Sequence, residues 1–158
     1  MDQAGQRPER ISRGQYWQDM TPGRRIVSAG RTITEADLTA FVNVSGFREE
    51  LFTNVEYLRD ETPFEGRLVP GALVYSFAEG LLVPTMEGTG LAFLHMELDV
   101  KAPTFVGDTI HVDVEVVEAR AASQGDRGLV RTRNAVITQK GETVLIYTPL
   151  RLMRGRPA

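Results

Sequence analysis

The sequence contains no cysteine, so it can form no disulfide, present no thiolate nucleophile and hold no cysteine-ligated metal. Its 2 histidines, His95 and His111, show neither a mutual spacing nor a carboxylate spacing that suggests a metal site. Long apolar runs are missing too: none approaches the ~20 residues that a membrane-spanning helix needs, and the polar N-terminus does not resemble a signal peptide. Nor is there an excess of positive charge. The 18 Lys and Arg face 21 Asp and Glu, for a formal charge of −3, which gives no general attraction to nucleic acid. Basic residues do gather at the ends, in Arg7, Arg10 and Arg13 and again in Arg151, Arg154 and Arg156. These read as solvated tails. The expectation is a cytoplasmic protein that needs no cofactor, no membrane and no nucleic acid.

What is present is enough for one ordinary domain. Hydrophobic residues make up 42% and charged residues 25% of 158 positions, so a real core can be buried. Residues 1–14 are polar, turn-rich and without periodicity, and are expected to form a flexible tail. Residues 15–158 are expected to be the single domain. Pro22-Gly23 marks a turn, and Arg25 to Thr32 reads as a first strand. Thr34 has the look of an N-cap, with Glu35 and Asp37 in the first turn to suit the helix dipole. Leu38, Phe41 and Val42 follow at helical spacing, and Gly46 is a sensible stop. Residues 47–69 form a long connection, in which Asn54 to Leu58 could be a short helix; a connection of this length inside a compact domain is usually functional.

The most informative stretch is Pro70 to Val83. Leu73, Val74, Phe77, Ala78, Leu81 and Leu82 leave nearly every side of the helix apolar, so it must lie inside protein. Leu91–Lys101, Thr109–Arg120, Leu129–Gln139 and Thr143–Met153 read as strands that can wrap it. In the first, Ala92, Leu94, Met96, Leu98 and Val100 make an apolar face opposite Phe93, His95, Glu97 and Asp99. In the second, Ile110, Val112, Val114 and Val116 alternate with His111, Asp113 and Glu115. Gln139 to Glu142 is a hairpin turn. The pattern predicts an α+β fold, with an antiparallel sheet wrapped around one long central helix.

Three stretches now carry a resemblance: "TITEADLTAFVNVSG", "PFEGRLVPGALVYSFAEGLL" and "DVKAPTFVGDTIHVDVEVVEAR". Together they resemble MaoC-like dehydratases and (R)-specific enoyl-CoA hydratases over roughly residues 15–153. The resemblance implies a hot-dog fold that is usually dimeric and binds acyl-CoA or a related acyl thioester. The partner would be a second copy, or a catalytic relative in a heterodimer. In those hydratases the loop after the first helix reads Gly-Asp-x-Asn-Pro-x-His, and its Asp and His activate water across the substrate double bond. Read in register from Gly46, this chain places Phe47 where the Asp stands and Phe52 where the His stands. The family's His before the helix glycine is also absent, because Val69-Pro70-Gly71 replaces it. Phenylalanine can neither take nor give a proton, so the usual mechanism cannot operate at these positions.

Several residues remain as candidates. The Gly71 N–H, at the start of the helix, can hold a thioester oxygen, or Gly71 can simply allow close packing. Glu49 and Glu50 are the carboxylates nearest the lost dyad and are either a relocated acid/base or solvated loop charges. Phe47, Phe52, Tyr57 and Phe64 could line an apolar acyl slot or serve as loop packing. Glu79, the one charge in the apolar helix, is expected to reach an Arg or a backbone amide. His95 and His111 read as surface or interface residues. Three functions stay open: an acyl-thioester hydratase or dehydratase with a divergent site, a non-catalytic binding subunit, and a thioesterase using Glu49, Glu50 or Asn54. A pocket lined solely by apolar groups would favour binding.

Overall fold

The computed structural model describes residues 10–157. After a turn at Trp17–Asp19, the chain runs β1 (Arg25–Val27), β2 (Arg31–Thr32), α1 (Glu35–Ser45), α2 (Glu50–Thr53), α3 (Val55–Glu61) and α4 (Gly71–Met86). Six more strands follow: β3 (Gly90–His95), β4 (Leu98–Val100), β5 (Thr109–Ala121), β6 (Arg127–Thr138), β7 (Thr143–Tyr147) and β8 (Leu150–Arg154). All eight strands join one antiparallel sheet. β1 and β2 lie on one side of β5, β6 on the other. β6 then pairs with β7 and β8, and these carry β4 and β3 on the far edge.

Local chemistry explains where the elements begin and end. The Thr34 hydroxyl accepts the Asp37 N–H at 3.2 Å while the Asp37 carboxylate accepts the Thr34 N–H at 2.8 Å, a reciprocal cap on α1. Gly46, at φ 79°, ends the helix in the left-handed region that glycine enters without strain. The expected first strand is two short ones. Between them the Ser28 hydroxyl accepts the Val112 N–H at 2.8 Å, so a side chain replaces a carbonyl in the ladder and the strand breaks. The expected strand 143–153 also divides, at Pro149, which has no N–H to donate. Its neighbour 91–101 divides opposite, at Met96-Glu97, where the Glu97 carbonyl accepts the Thr148 N–H at 2.9 Å.

That division overturns one expectation about facing. The alternation of Ala92, Leu94, Met96, Leu98 and Val100 predicts a buried apolar face, yet β3 and β4 are exposed along their whole length and only Met96 is half-buried. They form the outer lane of the sheet, paired on one side only, and Phe93 rather than Leu94 sits opposite Arg151.

α4 lies across the sheet. Leu73, Val74, Ala78 and Leu82 on its inner face pack with Ile110, Val112, Val114, Val136, Val144, Leu145 and Tyr147. Burying each large aliphatic side chain in this contact stabilises the fold by roughly 1.5–3 kcal/mol. The helix runs past Pro84, whose missing donor would have met the carbonyl of exposed Gly80, where water can take the bond. In contrast to the all-round burial expected of it, α4 leaves Ala72, Ser76, Gly80, Val83 and Pro84 exposed, because the sheet covers one face only.

Glu79 is answered from the sheet. Tyr147 Oη donates to its Oε1 at 2.7 Å and Arg151 Nη2 donates to the same oxygen at 2.6 Å. Tyr147 is fully buried, and burial, reinforced by the Glu79 charge, pushes its hydroxyl far above the usual phenol range. Arg151 also lies 5.0 Å from the centre of the Phe93 ring. Arg151 is therefore not a solvated tail charge; its side chain is only 13% exposed. Replacing Glu79 with Leu strands a largely buried guanidinium. It should cost about 2–4 kcal/mol, and Glu79→Leu with Arg151→Met should recover much of that. Urea denaturation of the single and double variants measures both effects, and a single-variant loss below about 0.5 kcal/mol would remove the pair from any structural role.

Candidate functional site

A cavity of about 370 Å³ opens at the N-terminus of α4, within the size range of small-ligand pockets. Phe52 and Phe64 close one side, Val74, Val144 and Leu145 line the interior, and the segment from Val100 to Thr104 forms another wall. Gly71 and Pro70 stand at the helix end of the cavity. The N–H groups of Gly71 and Ala72 donate to no protein acceptor among the described residues. Leu73 and Val74 already turn back to the Pro70 carbonyl, at 3.0 and 3.2 Å. The first two donors thus remain open at the positive end of the helix dipole. Gly71 also has a packing reason: a Cβ there would lie 3.3 Å from Val100 Cγ2, tighter than a relaxed contact.

Two side-chain systems hold these walls in place, and local sequence patterns point to neither. Arg67 Nε and Nη2 donate to the Glu35 carboxylate, at 2.7 Å for the shortest bond, while Nη1 donates to the Phe52 carbonyl at 3.0 Å. One guanidinium thereby fastens Phe52 to α1, and its hydrogen bonds hold the Glu35 carboxyl below the usual carboxylate range. On the opposite wall, Asp108 Oδ2 accepts the Phe105 N–H at 2.9 Å and Oδ1 accepts Gln139 Nε2 at 2.9 Å. Gly107, at φ 96°, makes the turn between them. The Gly-Asp-Thr stretch is a brace for the cavity wall.

The sequence candidates separate cleanly. Phe52, Phe64 and Gly71 line the cavity, whereas Phe47 and Tyr57 do not. Phe47 instead packs between Phe41 and Phe52, with ring centres 5.8 and 6.2 Å away. Glu49 and Glu50 are exposed outside the cavity. Glu50 Oε1 accepts Asn54 Nδ2 at 2.9 Å, and Asn54 Oδ1 caps α3, so the Asn54 amide is occupied. His95 is exposed, and His111 Nε2 lies 3.7 Å from Asp113 on β5. Among the described residues, the cavity lining carries no carboxylate and no imidazole; its polar side chains are Lys101 and Thr104. Such a site can bury an alkyl chain and hold an oxygen at the helix terminus, but offers a reacting carbon no histidine or acid for proton transfer. No group of three or more metal-ligating side chains occurs among the described residues. No helix there is long and apolar enough to cross a membrane.

No family model matches the chain. It is 30% identical over 101 residues to an (R)-specific enoyl-CoA hydratase of Rhodospirillum rubrum, a match covering 64% of this chain and 69% of that protein. Among solved structures, it resembles the MaoC-like dehydratase from Rhodospirillum rubrum, with 25% identity and a TM-score of 0.81, covering 92% of this chain and all of that one (100%). It also resembles a putative MaoC domain protein dehydratase from Chloroflexus aurantiacus, with 26% identity and a TM-score of 0.88. That match covers 95% of this chain but 43% of the longer Chloroflexus chain. An antiparallel sheet packed on one face of a long helix, an apolar cavity at the helix N-terminus and these likenesses agree: the chain belongs to the MaoC-like family of (R)-specific enoyl-CoA hydratases and dehydratases, on a hot-dog fold.

Proposed function

We propose that this chain binds an acyl thioester such as acyl-CoA, and that its own pocket supplies no carboxylate or imidazole for hydration of the acyl double bond. The observation that carries the reading is the lining itself: an apolar cavity without carboxylate or imidazole, set against two open N–H groups at the start of α4. The acyl chain fits the cavity between Phe52, Phe64 and Val74, and the thioester oxygen takes the Gly71 N–H. Phe52, at the position of the family's His, becomes a wall. Any hydratase or dehydratase chemistry then rests on groups from a second chain. Catalysis by this chain alone keeps the support of its hydratase relatives, with Glu49 or Glu50 as the relocated base. The geometry favours neither, since both side chains lie outside the cavity. The thioesterase reading loses Asn54 to its helix cap.

Each methylene moved from water into the cavity contributes about 0.8 kcal/mol, or about fourfold in affinity. Calorimetric titration with saturated straight-chain acyl-CoAs should show that gain per methylene until the cavity is full. Crotonyl-CoA, followed by the loss of its conjugated absorbance, should be hydrated negligibly, and Glu49→Gln and Glu50→Gln should change nothing. Robust hydration by the isolated protein would overturn the non-catalytic reading. Loss of that activity in one Gln variant would identify the base.

The second chain has a place to bind. β3 and β4 form an open sheet edge with Leu94 51% and Val100 61% exposed, and Phe93, Leu91 and Leu98 beside them. Such an edge invites strand pairing with another chain. Joined edge to edge, two sheets make a dimer, either with a second copy or with a catalytic relative. Light scattering at micromolar concentration should report twice the chain mass for the protein alone, and Leu94→Lys should return it to monomer. A wild-type monomer at that concentration would rule out the homodimer.

A further inference from the structure

Thr104 is the least explained residue of the cavity. It is 3% exposed, it lines the cavity, and its hydroxyl makes no hydrogen bond to protein among the described residues. Its position is fixed from both sides of the chain. The Thr104 carbonyl accepts the Val69 N–H at 2.9 Å, the Arg67 carbonyl accepts the Val106 N–H at 2.9 Å, and Leu68 bridges Phe105 in antiparallel fashion. This short ladder places Thr104 beside Val69, two residues before Gly71. The Asp108 brace holds the next residue, Phe105, by its N–H. Lys101, the other polar group of the lining, is engaged with Asp99 at 3.3 Å and its side chain is 46% exposed. A cavity, a helix terminus with open donors and a largely buried threonine in the lining thus converge.

We propose that the Thr104 hydroxyl donates to the thioester carbonyl oxygen of the bound acyl group, as a second donor beside the Gly71 N–H. This role rests on the acyl-thioester reading of the cavity. Threonine suits it because a branched side chain has few rotamers, so little freedom is lost when the hydroxyl points at a ligand. Two donors converging on one oxygen also select for a carbonyl over a group that cannot accept.

The experiment compares two ligands, butyryl-CoA, a thioester, and S-butyl-CoA, the thioether lacking the carbonyl. Thr104→Val keeps the shape and removes the donor; Thr104→Ser keeps the donor. The valine variant should bind butyryl-CoA about 10-fold more weakly, the effect of losing one hydrogen bond, and bind S-butyl-CoA within about twofold of the unaltered protein. The serine variant should keep most of the thioester affinity. In isotope-edited infrared spectra of carbonyl-labelled butyryl-CoA, the bound carbonyl stretch should move to higher frequency in the valine variant alone. Equal weakening of both ligands, or no weakening of either, overturns the role of Thr104. If the unaltered protein binds neither ligand, it is the acyl-thioester reading that fails, and this role falls with it.

A second inference stands on a different observation. Asn134 is fully buried on β6, and neither its Nδ2 nor its Oδ1 has a well-formed hydrogen bond. It borders a cavity of about 20 Å³ that Thr132 and Arg151 also line. We infer that this cavity holds one buried water, bonded to the Asn134 amide, since such a site has both the volume and the several polar partners that a water needs. A high-resolution crystal structure should show that water, and Asn134→Leu should expel it. A dry cavity overturns the inference.

Discussion

The contact between the inner face of α4 and the sheet is the constraint on which the rest depends. Leu73, Val74, Ala78 and Leu82 fix the helix over β5, β6 and β7, and with it the position of the Gly71 terminus. Because the helix is apolar nearly all round and the sheet covers one face, two further features follow. The N-terminal end stands open beside a cavity, and the outer face, with Ala72, Ser76 and Gly80, is left exposed, as are the edge strands β3 and β4. Glu79 is tolerated in this helix because Arg151 and Tyr147 reach it from the sheet.

Much of this architecture is legible in the residues. The Thr34 cap, the Gly46 stop, the apolar helix after Pro70 and the alternation of β5 each rest on local chemistry, and each occurs where that chemistry puts it. What local patterns cannot show is which lane of the sheet a strand will occupy. The run from Leu91 to Val100 alternates like a half-buried strand, yet an edge position leaves it exposed. Breaks at Ser28 and Pro149 depend on partners far along the chain, and so does the pairing of Arg151 with Glu79.

The site is legible in part for the same reason. Phe52, Phe64 and Gly71 meet at the cavity, but Phe47 turns to Phe41, and nothing in their spacing separates the two kinds of phenylalanine. Thr104 carries no signal in the sequence, since a threonine in a loop is ordinary until its burial and its place in the cavity lining are known. Arg67 and Asp108 act across 32 and 31 residues, on Glu35 and Gln139. The pocket that emerges sets an apolar lining beside two open N–H groups at the start of α4, with no carboxylate or imidazole in the lining among the described residues. Binding and proton transfer are separable demands on such a fold, because the first is met by the helix terminus and the cavity walls and the second by a few placed side chains.

A crystal structure with a saturated acyl-CoA bound bears most directly on the claim that this pocket binds without supplying a carboxylate or imidazole. The alkyl chain should lie between Phe52, Phe64 and Val74, with the thioester oxygen on the Gly71 N–H. No carboxylate or imidazole of the same chain should come within hydrogen-bond reach of the first two carbons beyond the carbonyl. An acyl group bound elsewhere, or Glu49 or Glu50 folded in against those carbons, would contradict it.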